Sequence, residues 1–97
     1  MHYTIEQTEE FARWRSRLKD LVAATAIRRR IDRAQHGNLG DVKPVGEGVS
    51  EMRVDVGAGY RLYFTVRERR VVFLLVGDNK STQAADIRQA QALAKEI

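Results

Sequence analysis

Cysteine is absent from this chain of 97 residues, which excludes a disulfide framework and a thiolate metal site. Proline occurs once, at Pro44, and no repeat or low-complexity tract interrupts the sequence. Nothing therefore marks a linker, and one domain spanning 1–97 is expected. Histidine occurs twice, at His2 and His36, far apart and without the HxxxH or HxH spacing that would put two imidazoles on one ion. The longest apolar run, Val71 to Val76, is far too short to cross a bilayer. The opening MHYTIEQTEEF has no basic segment followed by an apolar stretch, so no secretion signal is read and the cytoplasm is the expected compartment. Length is scarce as well: there is room for one compact core but not for a barrel or a dinucleotide-binding fold. Ser16, Ser50 and Ser81 stand in no nucleophile-elbow or SxxK context. Neither GEG at 46–48 nor GAG at 57–59 has the GxxxxGK[ST] spacing of a phosphate loop, and each fits a turn instead.

What the chain does have is an excess of positive charge. Seventeen Lys and Arg face thirteen Asp and Glu for a formal net charge of +4, and thirteen of the seventeen are arginine. A small basic domain is expected to meet a polyanion or an acidic partner. The guanidinium adds a planar fork that binds phosphate or carboxylate bidentately and stacks on bases. Solubility alone also accounts for such charge. With 43% hydrophobic and 31% charged residues, the composition is that of a soluble folded domain rather than a disordered tail.

Apolar spacing sets out the elements. From Thr8, a candidate N-cap, Phe11, Trp14, Leu18, Leu21 and Val22 recur at helical intervals, predicting a first helix that ends near Asp20. A second periodic stretch runs through Ala23, Ile27, Ile31 and Ala34 and stops at His36-Gly37-Asn38, a glycine C-cap. The period then changes to two. Met52, Val54 and Val56 alternate with Glu51, Arg53 and Asp55, and Leu62, Phe64 and Val66 alternate with Arg61, Tyr63, Thr65 and Arg67. The two apolar sets share one side of a hairpin if its loop has three or five residues, which puts Arg53, Arg61 and Tyr63 together on the other side. After a short turn around Glu68-Arg69, VVFLLV at 71–76 reads as a central strand covered on both faces and broken by Gly77-Asp78-Asn79. Ser81 or Thr82 can cap a last helix lined by Ile87, Ala90, Ala94 and Ile97. A short strand near Tyr3 to Glu6 completes an α+β fold of order β-α-α-β-β-β-α.

The polar face of the hairpin is the first candidate for chemistry. Arg53, Arg61 and Tyr63 lie there, with Lys43 before the first of these strands and Lys80 after the strand that follows. Basic groups that hold phosphate and a ring that stacks a base are the two ingredients of single-stranded nucleic-acid binding. An ordinary exposed face, on which Glu51 or Asp55 pairs with Arg53 or Arg61, gives the same pattern. Arg28, Arg29 and Arg30, with Arg33, lie mostly away from Ile27 and Ile31 on the second helix, either docking on phosphates or forming a solvated face. Trp14, in register with Phe11 and Leu18, reads as core.

Three stretches taken together, FARWRSRLKD, RRRIDRAQHGNLGDVKPVGEGVSEMRVDVGAGYRLYF and VVFLLVGDNKSTQAADIRQA, resemble the RelE/ParE superfamily of bacterial toxins. Within it they are most similar to the HigB-like branch often labelled addiction module killer proteins, over nearly the whole chain. The resemblance implies the toxin of a type II toxin–antitoxin system, with helices packed against an antiparallel sheet. In ribosome-dependent members it implies an mRNA interferase, an endoribonuclease needing no metal or cofactor. Such an enzyme cuts mRNA in the ribosomal A site by attack of a ribose 2′-hydroxyl on the adjacent phosphate, and so inhibits translation. Arg61, in GYR, matches the family's arginine on the central hairpin and is implied to stabilise the phosphate. Arg53 and Lys80 fall where relatives present further basic groups, for secondary contacts or leaving-group neutralisation. Lys43, Tyr63, Arg28, Arg29, Arg30 and Gln83 are then the candidate RNA or ribosome contacts. Several relatives carry a Tyr or His near the C-terminus, and STQAADIRQAQALAKEI has neither. That departure leaves Glu51 to supply the base and Tyr63 to stack, or else a toxin that does not cleave RNA as those relatives do. The implied partners are the ribosome and mRNA, a cognate helix-turn-helix antitoxin, and promoter DNA through the antitoxin complex, with no membrane. A ParE-like poison of DNA gyrase without nuclease chemistry, and a non-catalytic RNA- or protein-binding module, are the alternatives.

Overall fold

In a computed structural model, which describes residues 2–79 and 82–97, the chain runs β1 (Thr4–Gln7), α1 (Glu9–Ser16), α2 (Leu21–Gln35), β2 (Val42–Gly46), β3 (Val49–Val54), β4 (Tyr60–Arg67), β5 (Val71–Asp78) and α3 (Gln83–Glu96). The strands form one sheet in the order β1-β5-β4-β3-β2. The α+β class is as expected, with two differences in the sheet. The strand β2 was not anticipated, because VKPVG shows no apolar alternation. Pro44 lacks the N–H that an interior ladder needs, and β2 accordingly lies at the edge. The sheet is also mixed rather than antiparallel throughout: β1 runs parallel to β5, with Ile5 opposite Val72, while the other pairs are antiparallel.

The sheet is packed on both faces, which explains a strand as apolar as VVFLLV. On one side Phe11 of α1 and Ile27, Ile31 and Ala34 of α2 meet Met52, Val54, Leu62, Phe64, Val72 and Leu74. On the other, Ala90 and Ala94 of α3 meet Val49, Tyr63, Leu75 and Val76. Ile97 lies beyond α3 and is exposed. The strand β5 continues through Gly77 to Asp78 instead of breaking there. A Cβ at Gly77 would lie 2.3 Å from the Trp14 ring, so only glycine lets α1 sit this close.

The helix boundary also moves. Thr8 caps α1 by accepting from the Phe11 N–H, and α2 ends at His36 with Gly37 at φ 97°, both as the sequence implied. However, α1 stops at Ser16, and Asp20 caps α2 by accepting from the N–H groups of Val22 and Ala23. Leu21 and Val22, which spacing assigned to the stripe of the first helix, therefore open the second. There they are 79% and 69% exposed. No helix among the described residues is long and apolar enough to cross a membrane.

Candidate functional site

The hairpin of β3 and β4 builds the site. Met52 pairs with Leu62 and Val54 with Tyr60, leaving a loop of residues 55–59 that turns through Gly57 and Gly59 at positive φ. This register has the parity that the alternation required. Side chains alternate faces along a strand, so Glu51, Arg53, Arg61 and Tyr63 lie on the α3 side of the sheet. Arg53 stands opposite Arg61, Glu51 opposite Tyr63, and Asp78 of β5 opposite Arg61.

Two arginines directly opposite in a ladder repel, and Glu51 answers that repulsion. Its Oε2 lies 2.9 Å from Arg61 Nε and its Oε1 3.5 Å from Arg53 Nη2, with the carboxylate side chain only 1% exposed. The closer contact is an ion pair out of hydrogen-bond alignment: among the described residues Glu51 Oε2 and Arg61 Nε are both buried without a hydrogen-bond partner, and so is Arg61 Nη1. Arg61 is thus anchored by charge, with Nε and Nη1 making no hydrogen bond among the described residues. It lines a recess of about 150 Å³ with Arg53, Asp55 and Tyr60. Buried donors without acceptors are costly.

Behind the recess the Tyr63 hydroxyl donates to Asp78 Oδ2 at 2.9 Å, with both residues buried. Burial, and then this hydrogen bond, push the Tyr63 phenol well above its ordinary value. Tyr63 therefore corrects one expectation. It shares a face with the arginines, but α3 covers that part of the face, so its ring braces Asp78 and cannot stack on a base. Glu51 corrects another, because a carboxylate buried between two arginines positions them and is out of reach of a substrate hydroxyl.

The remaining candidates are dispersed. Arg30 folds back, donating through Nη1 to the Arg53 carbonyl and through Nη2 to the Leu39 carbonyl at 3.1 Å. Burial, with Arg33 beside it, holds its pKa below the usual arginine value. It clasps the loop after α2 to the end of β3, which makes it a structural contact instead of a surface one. Arg28 and Arg29 are exposed on α2, which packs on the opposite face of the sheet from Glu51 and Tyr63. Lys43 is exposed on β2, in register with Glu51. Gln83 opens α3, and Lys80 lies outside the described residues. Asp55 and Tyr60 line the recess although the sequence did not single them out as site residues. For Asp55 the signal was present, since it follows Arg53 at the same parity. His2 and His36 come together with ring centroids 5.4 Å apart, a proximity their sequence separation hid. Among the described residues no group of three or more His, Cys, Asp or Glu is placed to hold a metal ion.

Comparison with known proteins adds relatives to this geometry. The model of a family described as phage derived protein Gp49-like (DUF891) matches residues 15–96. A Haemophilus influenzae protein described as uncharacterized is 46% identical over 97 residues, covering 100% of this chain and 98% of its own length. Among solved structures, a doubly substituted E. coli toxin RelE in the free state matches with a TM-score of 0.74, covering 100% of both chains at 16% identity. The intact E. coli RelBE toxin–antitoxin complex matches with a TM-score of 0.63 at 17% identity, over 81% of this chain and 98% of the chain compared. The fold is that of RelE.

Proposed function

This chain belongs to the Gp49-like family, and from that premise, joined to the RelE fold, we propose that it is the toxin of a toxin–antitoxin pair. In this reading it acts as a ribosome-dependent mRNA endoribonuclease that inhibits translation. The observation that carries the reading is Arg61: a guanidinium 15% exposed at the wall of a recess and braced by the buried Glu51. Donors fixed in place before substrate arrives stabilise charge as it develops on a phosphate, at no cost of reorganisation.

The chemistry follows from those positions. Arg61 holds the non-bridging oxygens of the scissile phosphate. The ribose 2′-oxygen attacks phosphorus as Asp55, the carboxylate that lines the recess, accepts the 2′-hydroxyl proton. The bond from phosphorus to the 5′-oxygen breaks, giving a 2′,3′-cyclic phosphate and, after protonation from water, a 5′-hydroxyl. Arg53, 43% exposed beside Arg61, offsets the charge on the leaving oxygen. Glu51 and the Tyr63–Asp78 pair are positioning residues. A cognate antitoxin encoded beside this chain keeps it inactive, and the complex meets promoter DNA through the antitoxin.

The test is to map mRNA 5′ ends minutes after induction for wild type and Arg61→Ala, with an untranslated transcript as control and circular dichroism to confirm folding. New ends confined to translated frames, reduced by about 100-fold or more in the variant, are expected. Growth arrest without new ends would redirect the reading to gyrase or another target, and absence of arrest to a non-catalytic binding module.

A further inference from the structure

The first turn of α2 presents two apolar side chains that nothing in the described chain covers. Leu21 and Val22 are 79% and 69% exposed, although side chains of that kind gain by leaving water. They border a groove of about 400 Å³ lined by Leu21, Val22, Thr25, Ala26, Arg29 and Val56. A second hollow of about 230 Å³, lined by Arg15, Leu21, Ala24, Thr25 and Arg28, adjoins it at Leu21 and Thr25. The charged residues on these walls are all arginine: Arg15, Arg28 and Arg29. Among the described residues none of the three takes part in an ion pair.

We propose that this arginine-walled groove is the docking surface for an acidic amphipathic helix of the antitoxin, seated beside the Arg53–Arg61 recess and not on it. The inference rests on the toxin–antitoxin reading above. Leu21, Thr25, Arg28 and Arg29 stand at i, i+4, i+7 and i+8, one continuous stripe along α2. An incoming helix reads such a stripe with apolar anchors at one end and carboxylates at the other. Charge selects the occupant. A second copy of this chain, itself at +4, would set arginine against arginine, whereas acidic side chains would pair with the walls and speed encounter. The groove also adjoins the site: Val56 on its wall directly follows Asp55 on the wall of the recess. A helix seated there leaves Arg61 untouched.

The test compares Leu21→Asp/Val22→Asp, Arg28→Glu/Arg29→Glu and Arg61→Ala as purified full-length chains, titrated calorimetrically with the protein encoded beside this one. Aspartate in the first turn of a helix is favourable, so the first variant is expected to fold and to retain growth arrest. Both groove variants are expected to bind about 30-fold or more weakly, the cost of losing a hot-spot anchor. Arg61→Ala is expected to bind as wild type. Wild-type binding by the groove variants, with loss in Arg61→Ala, would place the antitoxin on the recess and overturn the proposal. A wild-type dimer dispersed by Leu21→Asp/Val22→Asp would overturn it in favour of a second copy. Failure of wild type itself to bind would sink the toxin–antitoxin reading, a result distinct from either.

Discussion

Glu51 and Tyr63 show how one alternating stretch encodes two kinds of residue. Parity along β3 and β4 puts both on the same face as Arg53 and Arg61, and that much is legible from the order of apolar and polar letters. Whether such a face meets water is decided by what covers it: α3, arriving from far along the chain, buries Tyr63, and Glu51 is buried against the two arginines, while Arg53 stays partly open. Local pattern contains no trace of that helix's position, so a buried brace and a surface ring look alike in sequence. The buried phenol has a measurable consequence. Its raised pKa means that the folded chain holds the Tyr63 proton more tightly than the unfolded chain does. The stability this contributes is fully present below about pH 10, the ordinary tyrosine value, and is lost as pH rises above it. Urea unfolding followed from pH 8 upward is expected to show falling stability above about pH 10 in wild type. Tyr63→Phe should show a shallower fall, at the cost of about 1–3 kcal/mol at neutral pH for the loss of the Tyr63–Asp78 hydrogen bond. Equal slopes in the two proteins would remove Tyr63 from the account.

At the scale of elements, the sequence was informative wherever hydrophobic period changed and poor wherever hydrogen bonding alone set a boundary. The switch from a period of 3.6 to 2 located α2, the hairpin and α3. The end of α1 is read near Asp20 instead of at Ser16 because Phe11, Trp14, Leu18, Leu21 and Val22 keep a helical rhythm past it, with no glycine or proline at 17–20. Asp20 was the available signal, a capping residue ahead of LVAATAI, and its Oδ1 accepts from Val22 and Ala23 at 3.0 and 3.2 Å. β2 escaped for a related reason: an edge strand is defined by its ladder to β3, and Lys43 and Pro44 carry no apolar alternation to announce it. The cap can be tested by substitution. Asp20→Ala is expected to lower stability by about 1 kcal/mol, and Asp20→Asn, which still caps, by much less. Thermal unfolding of the two variants decides the matter, and equal losses would mean that charge or context at Asp20 matters more than its cap.

For the molecule as a whole, a sheet filled on both faces leaves chemistry to its ends and rims, and the excess of arginine is divided among them. Arg53 and Arg61 stand at the recess on β3 and β4, while Arg15, Arg28 and Arg29 wall the groove beside the start of α2. Net charge of +4 attracts any polyanion, so affinity for RNA by itself does not say which arginines touch phosphate. Salt dependence does, because each phosphate neutralised on a single strand releases condensed counterions and contributes about −0.7 to the slope of log K against log salt. If the recess holds RNA, Arg53→Ala/Arg61→Ala makes that slope shallower by about 1.4 for a single-stranded oligonucleotide titrated between about 50 and 200 mM salt. Arg28→Ala/Arg29→Ala keeps the slope if, as proposed, its arginines touch no phosphate. A shallower slope in the α2 variant and an unchanged one in the recess variant would reverse the two assignments, placing the nucleic acid along α2 and making Arg61 an internal brace like Glu51.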